Sequence, residues 1–184
     1  MLFGMKKGDS APPFPMRDYD DIYVDTCTLL EDDFRHCLRR IIPELVGAGK
    51  KILIPYPVMQ ELSYLADGIT SNCCHRAGQA RDLVRGLTQA GLAQFTGDDR
   101  ISEQADHYFV RTVSTDRFRR RIAVLTQDRQ LTEDLNLLNR VGSAQAKPVH
   151  TYKLEQGAPK RTQNQQADPG AAGNAAAIFR RLGL

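Results

Sequence analysis

The sequence holds no apolar run approaching the roughly 18 residues that a membrane-crossing helix requires. Its opening stretch, MLFGMKKGDSAPPFPM, has too short an apolar segment for a secretory signal, and its lysines follow that segment rather than precede it. These absences predict a soluble, cytoplasmic protein without membrane contact. Cysteine is sparse: Cys27, Cys37, Cys73 and Cys74 form no CxxC pair, and His75 beside Cys74 completes no zinc pattern. That spacing argues against a disulfide framework and against a zinc site, and reduced thiols are expected. Net charge is also low, at +3, and residues 156–184 carry all of it through Lys160, Arg161, Arg180 and Arg181 against Asp168. Basicity of this size is compatible with a nucleic-acid partner but does not argue for one.

The chain has 184 residues, 41% of them hydrophobic, enough for one domain with a real core and a tail. Residues 1–19, with Pro12, Pro13 and Pro15, predict a flexible N-terminal arm. Short apolar strands are expected at DIYV, KKILIPYP, LAQFTG, RIAVLT and AKPVHTYKL. Helical periodicity lies between them: Phe34, Leu38, Ile41, Ile42 and Leu45 in the first helix, PVMQELSYLADG opened by Pro57, then HRAGQARDLVRGLTQAG, DDRISEQADHYFVRTVST and RQLTEDLNLLNR. Strands alternating with helices predict an α/β fold, a three-layer α/β/α sandwich around a mainly parallel sheet. Residues 155–184 lose periodicity and gain Gln, Ala, Gly and Pro, which predicts a disordered basic tail.

Four acids stand out against this pattern. Asp25 follows Ile22-Tyr23-Val24 directly, and Asp128 follows Ile122 to Thr126 by two positions, so both sit at the carboxyl ends of strands, where open parallel sheets bind ligands. Either alone reads equally well as a turn or helix-cap aspartate. Glu61 is in register with Val58, Leu62 and Leu65, and Asp106 with Phe109, Val110 and Val113, on faces expected to meet the core. A carboxylate on such a face needs a partner. Two carboxylates about 4 Å apart repel by roughly 4 kcal/mol at an effective dielectric near 20. Four converging acids therefore call for a cation, and hard oxygen donors without Cys or His select Mg²⁺ or Mn²⁺. Such a site suits phosphodiester hydrolysis.

The ordered set VDTCTLL after a strand, PVMQELSYL on a helix, ADHYFVRTV on another and VLTQDRQL on a late strand resembles the PIN-domain ribonucleases. The likeness spans residues 20–154, a PIN-like nuclease domain, and its most specific part is the strand leading into Thr-x-Asp-x-x-Leu. It implies that Asp25, Glu61, Asp106 and Asp128 bind the divalent metal and activate water, with Thr26 and Thr126 as hydroxyl supports. It implies an RNA substrate, in either a toxin paired with an antitoxin or an RNA-processing enzyme, and dimers are common in the family. Many members have asparagine where this chain has Cys27, which bears on a supporting hydrogen bond but not on a metal ligand. Asp99, in GDDR, is the alternative third acid, although it also reads as the cap of a helix starting at Arg100. Asp134, six residues beyond Asp128, reads either as an accessory acid or, in preference, as a residue of a solvated helix face.

Arg117, Arg119, Arg120 and Arg121, clustered with Phe118, and Arg129 beside Asp128 are the candidate RNA contacts. The terminal AAAIFRRLGL is a candidate docking peptide for a protein partner. The competing reading is a catalytically silent PIN-like module that binds RNA or protein. A haloacid-dehalogenase-type phosphotransferase would need an acid at position 27, where Cys27 stands, and a response-regulator receiver would need a lysine ending a late strand.

Overall fold

The computed structural model describes residues 14–68, 71–100, 103–141 and 145–162. Its centre is a six-stranded sheet in the order β3-β2-β1-β4-β5-β6. The strands are β1 (Asp21–Val24), β2 (Ile52–Pro55), β3 (Ala93–Thr96), β4 (Ile122–Leu125), β5 (His150–Glu155) and β6 (Ala158–Arg161). The first five run parallel and only β6 is antiparallel. Side chains alternate between sheet faces along a strand. All four residues of β1 and of β4 are buried, so both faces of the central strands are covered, as in an α/β/α sandwich. The α-helices among the described residues are α1 (Thr26–Leu29), α2 (Phe34–Ala48), α3 (Tyr56–Ala66), α4 (Ser71–Gln89), α5 (Ala105–Asp116) and α6 (Arg129–Val141).

The topology fixes where a site can form. Crossovers from β1 lead outward through β2 to β3, while the chain returns to place β4 on the other side of β1 and continues to β5. The switch therefore lies between β1 and β4, paired from Asp21 against Ile122 to Val24 against Leu125. Residues leaving these two strands meet over that crevice.

Several boundaries depart from the sequence expectations. Phe14, Met16 and Tyr19 are buried, and the Tyr19 hydroxyl lies 2.6 Å from that of Tyr152, so residues 14–19 are packed against the sheet and are not part of a flexible arm. Residues 155–162 are likewise ordered: β5 and β6 form a hairpin across Gln156 (φ 52°) and Gly157 (φ 69°). Two consecutive positive φ values match the twist of a two-residue hairpin turn. The rest of both proposed terminal segments, including AAAIFRRLGL, falls outside the described residues. Helix α2 runs unbroken through Pro43 and ends at Gly49, whose left-handed φ of 63° closes it. Helix α5 begins at Ala105 rather than at Arg100, and the local turn before it is made by Asp98, which accepts from the Arg100 N–H at 3.0 Å. Asp99 therefore does not cap a helix at Arg100.

The basic link lies apart from the acids. It precedes β4 and so lies at the amino edge of the sheet, about 13 Å of strand away from the carboxyl edge, for four residues at about 3.3 Å each. Arg117 is 4% exposed and its Nε has no hydrogen-bond partner among the described residues. Arg120 holds Asp21 through both carboxylate oxygens, and Arg121 pairs with Asp20 at 3.7 Å. Arg117 is buried, whereas Arg119, Arg120, Arg121 and the half-exposed Phe118 face solvent, with Arg120 and Arg121 tied to the acids at the start of β1 and remote from those at the carboxyl edge.

Candidate active site

Asp25 is the hub. It leaves β1, 4% exposed, and its Oδ1 accepts the Thr26 N–H at 2.7 Å, capping α1. Its Oδ2 accepts the Cys27 thiol at 2.6 Å and the Thr126 hydroxyl at 2.9 Å. Burial pushes this carboxyl up, the three donors pull it back, and the charge of Glu61 pushes it up again.

Two threonines tie the other acids to it. The Thr26 hydroxyl donates to Glu61 Oε2 at 2.6 Å. The Thr126 hydroxyl, besides donating to Asp25, accepts the Asp128 N–H at 3.0 Å. The supports read from the sequence thus become bridges from Asp25 to Glu61 on one side and to Asp128 on the other. Asp128 in turn accepts the Leu131 N–H at 2.8 Å, so it caps α6. Glu61 Oε1 accepts the Ala105 N–H at 3.3 Å and so caps α5 from another helix, where Gln104 supplies no side-chain cap. The positive ends of three helices are therefore turned toward these carboxylates, which offsets part of their repulsion.

Asp106 follows in the first turn of α5. It sits at the exposed end of the stripe formed by buried Phe109, Val110 and Val113, not within the core. Crowding by protein atoms, followed by the charges of Asp25, Asp128, Glu61 and Asp134, raises its carboxyl to about 6. The residue is open to solvent on its other side, which screens part of that effect. Asp99 is exposed, accepts from Gln60 Nε2 of α3 through its backbone O at 3.2 Å, and is not among the main charges acting on Asp106.

Asp134 belongs with this group although its preferred sequence reading placed it in solvent. It is 6% exposed, and Gln130 Nε2 donates to its Oδ1 at 3.1 Å. The signal was available: Asp134 is three residues after Leu131 and four before Leu138, both buried.

The donor set fits a hard dication in chemistry and in charge. Among the described residues no salt bridge ends on Asp25, Glu61, Asp106 or Asp128; Arg129, the nearest arginine in sequence, pairs instead with Glu133 at 2.8 Å. Among those residues, too, no three His, Cys, Asp or Glu side chains converge tightly enough to enclose an ion. Both oxygens of Asp25 and of Glu61, and Oδ1 of Asp128, accept from hydroxyl, thiol or backbone donors. Cys27 takes the place of the asparagine common in the resembled family and still donates to Asp25, because burial and the Asp25 charge push its thiol up to about 12 and keep it protonated.

A groove of about 700 Å³ runs along α6 from Arg129, the residue after Asp128, lined by Arg129, Thr132, Glu133, Asn136, Arg140, Lys153 and Thr162. Arg140 and Lys153 had no place among the RNA contacts read from the sequence, because α6 and β5 come together only in the fold. No helix among the described residues is long and apolar enough to cross a membrane.

No protein-family model matches the sequence, and no curated protein is similar to it. Among solved structures the chain is similar to the PIN domain endonuclease Utp24, at a TM-score of 0.52 and 16% identity over 77% of this chain and 90% of that one. It is also similar, at a TM-score of 0.44 and 20% identity over 73% and 91% of the two chains, to a domain of a functionally unknown protein from Methanocaldococcus jannaschii DSM 2661. Sheet order, crossover pattern and the first of these likenesses together give the chain a PIN-like fold.

Proposed function

We propose that this chain is a divalent-metal-dependent endoribonuclease that hydrolyses RNA phosphodiester bonds at Asp25, Glu61, Asp106 and Asp128. The observation that carries the reading is the hydrogen-bonded thread from Asp128 through Thr126 to Asp25, and through Thr26 to Glu61 and the start of α5. It gathers carboxylates at a topological switch point where, among the described residues, no salt bridge neutralises Asp25, Glu61, Asp106 or Asp128. Bound Mg²⁺ or Mn²⁺ would make water a stronger nucleophile and offset charge on a phosphodiester. In that reading the four carboxylates hold the ion, and Thr26, Thr126 and Cys27 keep their carboxylates oriented.

The groove along α6 would receive the phosphate backbone through Arg129, Arg140 and Lys153, a role that replaces the one first expected of Arg117, Arg119, Arg120 and Arg121. The test is cleavage of a labelled RNA with Mn²⁺: the wild-type chain should cut and Asp128→Asn should not. A second reading, a silent module that binds RNA or a protein partner, draws on the absence of a closed ion-binding cluster among the described residues. It requires that Mn²⁺ leave the melting temperature unchanged, whereas the nuclease reading requires a rise.

A further inference from the structure

We propose that the hollow between α3 and the segment leading into α5 receives one nucleobase of an unpaired RNA strand, with Tyr64 as the stacking surface. The proposal rests on the ribonuclease reading, since that reading brings an RNA strand to the acids. The hollow measures about 450 Å³ and is lined by Pro57, Gln60, Glu61, Tyr64, Leu65 and Gln104, with Glu103 at its side. Tyr64 is 81% exposed, and among the described residues its ring and hydroxyl have no partner. It stands three residues after Glu61 on α3, so the two are surface neighbours with Cβ atoms about 5–6 Å apart. The hollow therefore adjoins the acid cluster and shares Glu61 with it.

Its chemistry selects what enters. Among the described residues no lysine or arginine lines it, while Glu61 does, and Glu103 is already paired with Arg111 at 2.8 Å. A phosphate would meet carboxylate. A flat uncharged ring would meet the Tyr64 face, Pro57 and Leu65, with the amides of Gln60 and Gln104 near its edge. Every base has such a face, and stacking on an exposed aromatic tolerates any sequence. Bases within a duplex are stacked and paired already, so the hollow favours unpaired strands. Phosphate recognition then falls to the groove along α6 that holds Arg129, Arg140 and Lys153.

The test is titration of the full chain, in EDTA, into a single-stranded oligoribonucleotide carrying 2-aminopurine. The wild type should quench its fluorescence, Tyr64→Ala should bind about tenfold more weakly, and Tyr64→Phe and Tyr64→Trp should bind within about twofold of wild type. The same sequence in a duplex should show no dependence on residue 64. Equal affinity for wild type and Tyr64→Ala, an equal loss in Tyr64→Phe, or no RNA binding by the wild type overturns the proposal. The two readings separate in a parallel Mn²⁺ cleavage assay. Stacking without cleavage sinks the ribonuclease and spares the base site; cleavage with unchanged KM in Tyr64→Ala does the reverse.

Discussion

The Thr126 hydroxyl donates to Asp25 Oδ2 at 2.9 Å while accepting the Asp128 N–H at 3.0 Å, so one fully buried side chain sets the spacing of two acids that follow neighbouring strands. Thr126→Val keeps the shape and removes both bonds. It should lose about 1–3 kcal/mol of stability, the range for leaving buried groups unpaired, and RNA cleavage with it. Thr126→Ser should retain both. Urea denaturation and a cleavage assay on the two variants check this, and a Val variant with wild-type behaviour in both would contradict it.

Asp106 gives the pH signature. Its folded-state carboxyl is raised to about 6 from an ordinary value of 3.8, so the folded chain binds this proton more tightly than the unfolded chain does. Between those values stability falls as pH rises, and the penalty is complete above about pH 6. In EDTA, Asp106→Asn should melt higher than wild type at pH 7, and the gap should close as pH drops toward 4. Scanning fluorimetry across that range measures it; a gap that widens on acidification would contradict the sign.

Asp25→Asn should behave differently. Both oxygens of Asp25 accept from protein donors, so either orientation of an amide sets its NH₂ against a donor: the Thr26 N–H, or the Cys27 thiol and Thr126 hydroxyl. Relief of the buried charge is thereby offset. Metal-free melting should rise less in Asp25→Asn than in Asp106→Asn, and Mn²⁺-dependent cleavage should disappear in Asp25→Asn. A larger thermal gain at position 25 would count against the hydrogen-bond pattern.

The two basic regions should separate cleanly. Lys153→Ala and Arg129→Ala should each weaken RNA binding and lower the salt dependence by about one phosphate contact. Arg120→Ala should leave RNA affinity unchanged and lower stability, because it strands the 7%-exposed Asp21. Binding curves at several salt concentrations, with melting curves alongside, distinguish these outcomes.

What the sequence revealed and what it hid divide along the range of the interactions. Strands β1 to β4 are short apolar runs between clear breakers, and Asp25 and Asp128 are legible because the one directly follows such a run and the other comes within three residues of its end. The start of α5 was not legible, since its cap is Glu61, 44 positions away. The hairpin at Gln156-Gly157 escaped because glutamine at positive φ sends no turn signal. The arginine link misled because composition shows charge but not which edge of the sheet it occupies. Asp20 and Asp21 absorb that charge only once β1 and β4 pair.

The most direct measurement is calorimetric titration of Mn²⁺ into the metal-free chain at pH 7, comparing wild type with Asp25→Asn and Asp128→Asn. Saturable binding to the wild type, lost in both variants, is the expected result. No uptake by the wild type, or the same uptake when either aspartate is replaced, would show that these carboxylates are held for their hydrogen bonds alone.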